Sequence, residues 1–283
     1  MAYLTEDEIA TFRRDGVVHV PRAFPADLVP RAIAAVDDEL QARYGDGVRA
    51  STGMTRRLYR ANEEFRTFAF ESGLAGLAAQ ATGSDTIRLY FEQVFVKDPG
   101  TAEVFHWHQD NPFWPITGTQ VCSTWVAMTD ASVDSSALEF VRGSHAWGIT
   151  FRPYFGGPTE VDKLNRVWPN FGSYVASFPD EIEVFEEHPD RFDVIGFDVE
   201  PGDALLFDYR IVHRSRGNGG SHRRVAVSWR WLGDDARWSP VPGADPVVSA
   251  ADTWLEPGAL ITDDDAFPIA HQRHAALHSE ELA

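Results

Sequence analysis

Along this chain the spacing of hydrophobic positions changes from a helical period over residues 1–82 to short alternating runs beyond Gly83. Thr5, with Glu8 three positions on, has the form of a capping box. Ile9 and Phe12 then begin an amphipathic helix that stops at Asp15-Gly16. Val17 to Val20 reads as a strand. Leu28, Ile33, Val36 and Leu40 recur at helical spacing over 25–44, and Phe65, Phe68, Leu74, Leu77 and Ala78 predict one more helix over 63–82. After Gly83, runs rich in β-branched and aromatic residues fall at 87–97, 104–108, 121–128, 138–141, 192–199, 204–207 and 225–232, separated by Gly, Pro, Asp and Asn.

Strands in series without intervening helices predict an antiparallel sandwich or jelly roll rather than a parallel βαβ sheet. Residues 151–190 interrupt the series with Gly156-Gly157-Pro158, Trp168-Pro169 and a run of acids. That length exceeds a turn and predicts a lid-like insertion or binding loop. The plan is one domain over 1–283: a mainly helical N-terminal elaboration (1–82), a β core (83–235) carrying the insertion, and a C-terminal extension (236–283).

Composition narrows the function. With 43 acidic against 25 basic residues the formal net charge is −18, which repels both a phosphate backbone and an anionic bilayer. The N-terminus has neither a basic n-region nor an apolar h-region, and no stretch approaches the ~20 apolar residues of a transmembrane helix. The expectation is a cytoplasmic protein that binds neither nucleic acid nor membrane; no feature specifies an oligomeric state. The single cysteine, Cys122, excludes an intrachain disulfide or a thiolate cluster and reads as a small buried apolar residue.

His108-Gln109-Asp110 ends a strand-like run, and residues two apart on a strand share a face, so an imidazole and a carboxylate can converge on one ion there. The tripeptide alone is a weak signal. His213, beyond the turn Pro201-Gly202-Asp203 and the apolar run 204–207, would complete a facial triad; a hydrogen-bonded loop histidine is its plainer reading. Eleven residues further on, Arg224 opens the run 225–232, and its guanidinium fork suits a carboxylate beside the metal; Arg223 falls on the opposite face as a solvated charge.

These residues resemble the phytanoyl-CoA dioxygenase-like branch of the Fe(II)/2-oxoglutarate oxygenases, which share a double-stranded β-helix (cupin-like) core. The resemblance covers most of the chain. It is carried by His108-Gln109-Asp110, the segment Glu139-Phe140-Val141-Arg142-Gly143-Ser144-His145, Pro201-Gly202-Asp203, and His213 with Ser215 and Arg224. Arg142 stands where the family usually has proline. The resemblance implies Fe(II) held by His108, Asp110 and His213, with Arg224 and Ser215 contacting 2-oxoglutarate and Gln93 and Trp125 lining its site. An ordinary strand polar residue and a core tryptophan describe the last two equally well.

The implied reaction consumes O2 and 2-oxoglutarate and releases succinate and carbon dioxide, with hydroxylation as the default outcome and desaturation, epoxidation or cyclisation as alternatives. The chain's acidity, with no Lys/Arg cluster for the phosphates of an acyl-CoA, points to a small free substrate. Asp110 fills the position that a halogenating relative leaves open for chloride. His106 shares the face of His108 by alternation and is a candidate substrate contact with Phe113 and Trp114, whereas His145 belongs to a turn. Tyr154, Phe155 and Trp168 could cover the site from the insertion, and the chain's acidity would tolerate a cationic amine. The alternatives are a non-catalytic cupin-like binding protein or an inactive oxygenase relative. His106-Trp107-His108 supplies a cupin's paired histidines, but the glutamate expected to follow them is missing.

Overall fold

The computed structural model describes residues 3–45, 51–154, 169–178, 182, 185, 188–244 and 247–273. Helix α1 (Glu6–Asp15) opens with the capping box: Glu8 N–H donates to Thr5 Oγ1 at 3.2 Å and Thr5 N–H to Glu8 Oε2 at 2.7 Å. It stops at Gly16, whose φ of 82° is left-handed backbone that favours glycine. Strand β1 (Val17–Val20) and helix α2 (Leu28–Tyr44) follow as their spacing predicts. Strand β2 (Ser51–Arg56) has no apolar alternation and exists through its pairing with a neighbour. The helix predicted over 63–82 is two, α3 (Glu63–Glu71) and α4 (Leu74–Thr82), because Gly73 takes φ 89° and breaks the ladder between two apolar stripes.

The β region holds β3 (Thr86–Lys97), β4 (Phe105–His108), β5 (Ile116–Thr117), β6 (Val121–Ala127) and β7 (Leu138–Val141). A short helix α5 (Phe171–Val175) precedes β8 (Val194–Gly196), β9 (Ala204–Asp208), β10 (His213–Ser215), β11 (Arg224–Leu232), β12 (Arg237–Trp238) and β13 (Ile269–Gln272). One antiparallel sheet runs β1-β9-β6-β11-β3-β13, with β2 also on β3; a second runs β4-β10-β7-β8, and β12 pairs β5. The run predicted over 192–199 is a strand only at its centre, where β8 borders β7.

Alternation on β11 explains the layering. Val225, Val227, Trp229 and Trp231 join Phe65, Phe68, Leu74 and Leu77 in the core between the large sheet and the helices. Arg224, Ser228 and Arg230 line a cavity on the other face, and Ala226 packs with Leu138 and Phe140 of the small sheet. Both faces of the strand are thus covered, and every residue of it is buried. A bulge keeps this phase: Trp231 pairs with Leu89 while Arg230 pairs with Phe91, so Tyr90 is the extra residue. The two facing antiparallel sheets form the expected double-stranded β-helix with flanking helices.

Trp229, fully buried and stacked on Phe24 with ring centroids 5.8 Å apart, locks helices to sheet. Trp229→Ala should cost roughly 3–5 kcal/mol through lost burial and the cavity left behind. Urea unfolding monitored by circular dichroism measures it, and a loss below ~1 kcal/mol would contradict this packing.

The stretch after 236 is no appendage. Trp238, Leu255, Ile261 and Phe267 are buried with Tyr90, Phe91 and Trp114, and β13 adds an edge strand to β3. Of the predicted insertion at 151–190, residues 155–168, 179–181, 183–184 and 186–187 lie outside the described residues. Within the remainder, Ile182 and Phe185 pack on Trp107 and Val212, and Arg152 Nε donates to the Phe178 carbonyl at 3.0 Å.

Candidate metal centre

β4 and β10 are neighbours, and their register places His213 directly opposite His108 although the two lie far apart in the chain. The imidazole centroids are 4.2 Å apart. Asp110, just past β4, brings its Oδ1 to 3.9 Å from His108 Nε2 and 4.0 Å from His213 Nε2. One ligand atom from each of the three lies within 4.8 Å of the others, and the group could hold a metal ion.

Local hydrogen bonds fix this arrangement. Asp110 N–H donates to the Tyr209 carbonyl at 2.9 Å. Gln109, buried between the two ligands, donates to the carbonyls of Ile149 at 3.0 Å and Arg210 at 2.7 Å and accepts from Phe151 N–H at 2.8 Å. The Gly143-Ser144-His145 turn reaches the other strand: Val212 N–H donates to Ser144 Oγ at 2.8 Å, one residue before His213. Arg142 ties this turn to the end of α1, pairing with Asp15 at 2.7 Å and Asp193 at 2.9 Å.

Each histidine carries its Nδ1 proton towards a backbone carbonyl, His108 to that of His106 at 2.7 Å and His213 to that of Ile211 at 3.0 Å. That tautomer leaves both Nε2 lone pairs aimed at the common centre. Burial holds both imidazoles neutral: it lowers the His108 pKa, and burial followed by the neighbouring His108 pushes His213 down to about 4. Asp110 Oδ2 is buried without a hydrogen-bond partner, the state of a carboxylate whose acceptor capacity is meant for something other than protein. Two neutral imidazoles and a carboxylate on one side suit a divalent transition ion with open positions opposite, and Fe(II) fits the donor set.

The triad opens onto a cavity of about 370 Å³ that also meets Gln93, Trp125, Ser215 and Arg224. Arg224 is 2% exposed; Nη1 donates to the Phe95 carbonyl at 3.0 Å and Nη2 to Ser136 Oγ at 3.1 Å, while Nε is buried without a partner. Among the described residues no carboxylate pairs with it, and burial alone lowers its pKa to about 9. A sealed guanidinium in that state is a site for an anion. Its planar group lies over Trp125 at 5.7 Å. Gln93 Oε1 accepts from Arg230 Nη2 at 3.0 Å. Arg223 points outward to Asp37 at 2.5 Å, as alternation requires.

His106, Phe113 and Trp114 line the same cavity, His106 against Tyr154 with centroids 5.0 Å apart and Phe113 between His108 and Phe171. Tyr174 extends this wall by donating its hydroxyl to the Pro112 carbonyl. Phe155 and Trp168 lie outside the described residues. Trp107 is on the outer face, yet fully buried beneath Phe185 and the Arg214 guanidinium. His145 stays out of the triad, its Nε2 donating to the Arg13 carbonyl at 3.2 Å. His19 pairs with Asp203 at 2.9 Å and His222 meets the Asp130 carbonyl at 3.2 Å; both are remote from the centre, and His274 and His278 lie outside the described residues.

The cavity lining departs from the chain's acidity. It carries Arg56, Arg224 and Arg230 beside Glu103 and Asp110, while the Arg214 guanidinium pairs with Glu139 at 2.9 Å over the outer-face Trp107. Arg230 went unmarked in the sequence although it lies six residues beyond Arg224 and therefore on the same strand face. Gln109 was masked by its place between two candidate ligands.

Comparison with known proteins bears on this site. The ectoine dioxygenase of Nocardia farcinica is 30% identical over 154 residues, 52% of this chain and 48% of that protein. A phytanoyl-CoA dioxygenase domain-containing protein 1 homolog of Dictyostelium discoideum is 24% identical over 149 residues, 53% and 44% of the two chains. The chain therefore spans about half the length of these curated relatives. Among solved structures, the epimerase SnoN in complex with Fe3+, alpha ketoglutarate and nogalamycin RO superimposes with a TM-score of 0.69 at 22% identity, covering 94% of this chain and 98% of that one, a likeness of fold. Among the described residues no helix is long and apolar enough to cross a membrane. A family model for phytanoyl-CoA dioxygenase (PhyH) matches residues 12–226, and the chain belongs to that family.

Proposed function

We propose that this chain is an Fe(II)- and 2-oxoglutarate-dependent oxygenase that hydroxylates a small free metabolite, with 1–283 serving as one catalytic unit. One observation carries the reading: a His-Asp-His triad with both Nε2 lone pairs presented shares a cavity with a buried guanidinium that no protein carboxylate pairs. When bound, iron and 2-oxoglutarate supply dioxygen activation coupled to decarboxylation of the keto acid to succinate.

The protein's part is placement and exclusion. His108, Asp110 and His213 would hold the ion from one side, with the cavity before it for a keto acid and O2. Arg224 and Ser215 receive the far carboxylate, while Trp125, Phe95 and Phe207 wall that end against water. Asp110 would fill the ligand position that a halogenating relative keeps for chloride, which argues against halogenation. The aromatic wall of Phe91, Phe113, Trp114 and Tyr154, with Arg56 and Arg230 beside it, favours a neutral or anionic substrate over an amine. The names of relatives point the same way in size: ectoine and nogalamycin RO are small molecules.

Anaerobic protein given one equivalent of Fe(II) and then 2-oxoglutarate should develop the weak visible charge-transfer absorption of a keto-acid chelate. Admitting O2 should yield succinate. A binding protein of the same fold would take up metal but form no succinate under any condition, and absence of both signals would sink the proposal.

A further inference from the structure

Arg224, which lines the cavity, has a second buried cation beside it across the strand ladder. Lys97 sits directly across the ladder from it in the β11–β3 register and is 1% exposed. Alternation places it on the inward row that Gln93 and Phe95 begin. Its ammonium donates to Ser215 Oγ at 3.2 Å and to the Arg216 carbonyl at 2.7 Å, and it lies 5.4 Å from the Phe105 ring centroid. Among the described residues no carboxylate lies within ion-pair distance of Lys97 or Arg224; Glu103 acts on Lys97 only from further away.

The hydrogen bonds have a direction. Arg224 Nη2 donates to Ser136 Oγ, and the Ser136 hydroxyl donates to the Arg216 carbonyl at 2.7 Å. The same carbonyl accepts from Lys97, which also donates to Ser215 Oγ. In its ammonium form, which an anion at this end favours, Lys97 has no lone pair to offer, so the Ser215 proton is left for an acceptor in the cavity that Ser215 lines. Two like charges buried side by side oppose each other, and burial followed by Arg224 lowers the Lys97 pKa to about 7. An anion at this end relieves both.

We propose that Lys97 is a positioning residue that makes the cavity selective for a dicarboxylate: it turns the Ser215 hydroxyl proton inward and sets a second positive charge behind it. This rests on the cosubstrate reading above. A keto acid of the same length without the distal carboxylate leaves the serine proton and both cations unanswered, so discrimination resides at that end.

Calorimetry on Mn(II)-loaded protein, without oxygen or turnover, can compare 2-oxoglutarate with 2-oxopentanoate. Lys97→Met should weaken 2-oxoglutarate roughly tenfold, as expected for losing a charge-assisted donor network, and leave 2-oxopentanoate within about twofold. Lys97→Gln, which keeps a donor for Ser215 without the charge, should fall between. Ser215→Ala should reduce the same selectivity, and Lys97→Met should cost less on that background than alone. Should Lys97→Met fail to fold, Lys97→Gln and Ser215→Ala decide the matter. Equal losses for both keto acids, or unchanged 2-oxoglutarate affinity in Lys97→Gln and Ser215→Ala, would overturn the role of Lys97 alone. Wild-type protein that binds neither keto acid would remove the cosubstrate reading and this inference together.

Discussion

Alanine at His108, Asp110 or His213 should abolish stoichiometric iron binding and succinate formation together. Each substitution leaves two donors of a three-donor face, and the Nε2 and Oδ1 atoms concerned are separated by only 3.9–4.0 Å. Loss of an outer hydrogen-bond partner at a metal site typically costs about 10- to 100-fold in affinity or activity, and loss of a ligand should exceed that. Ser144→Ala provides the internal scale, because Ser144 supports only the backbone next to His213 through Val212 N–H. It should reduce iron affinity less than any ligand variant. Iron content after anaerobic loading and desalting reads the effect, and full occupancy in all three ligand variants would show the triad to be misassigned.

Arg224→Ala should raise the 2-oxoglutarate requirement while leaving iron occupancy near that of the wild type. A charge-assisted interaction with a carboxylate contributes about 1.5–3 kcal/mol, or roughly 10- to 150-fold in affinity. Burial strengthens the expectation, since the guanidinium is held away from water with its Nε unpartnered. Arg223→Ala, one position away, should behave as wild type, because its charge meets Asp37 at the surface and exposed pairs contribute little. The dependence of initial rate on 2-oxoglutarate distinguishes the two variants. A large rise in KM for Arg223→Ala with none for Arg224→Ala would place the wrong face of β11 inward.

Apo protein should tolerate Arg224→Met without serious loss of stability, since the change removes an unpaired buried cation.

Periods and local chemistry were legible from the chain alone. The capping box at Thr5 and Glu8, the Gly16 stop, the strand runs and the shared face of His108 and Asp110 each depend on residues a few positions apart, where backbone geometry dictates the outcome. The face of β11 that carries Arg224 was readable for the same reason, and that logic reaches Arg230 as well. The break at Gly73 lay within reach too, but two apolar stripes in phase concealed it.

Tertiary structure alone decided how distant segments meet. The register that sets His213 opposite His108, and Lys97 opposite Arg224, is a property of paired strands and is encoded in no single segment. β2 and β13 owe their existence to edges of β3, so their own sequences carry little strand signal. Charge shows the same division: a net −18 sums over the whole chain, whereas the cavity collects the few side chains that alternation turns inward, Arg224 and Arg230 among them. Composition therefore bounded the partners, but the sign of the site followed from which face of each strand the fold buried.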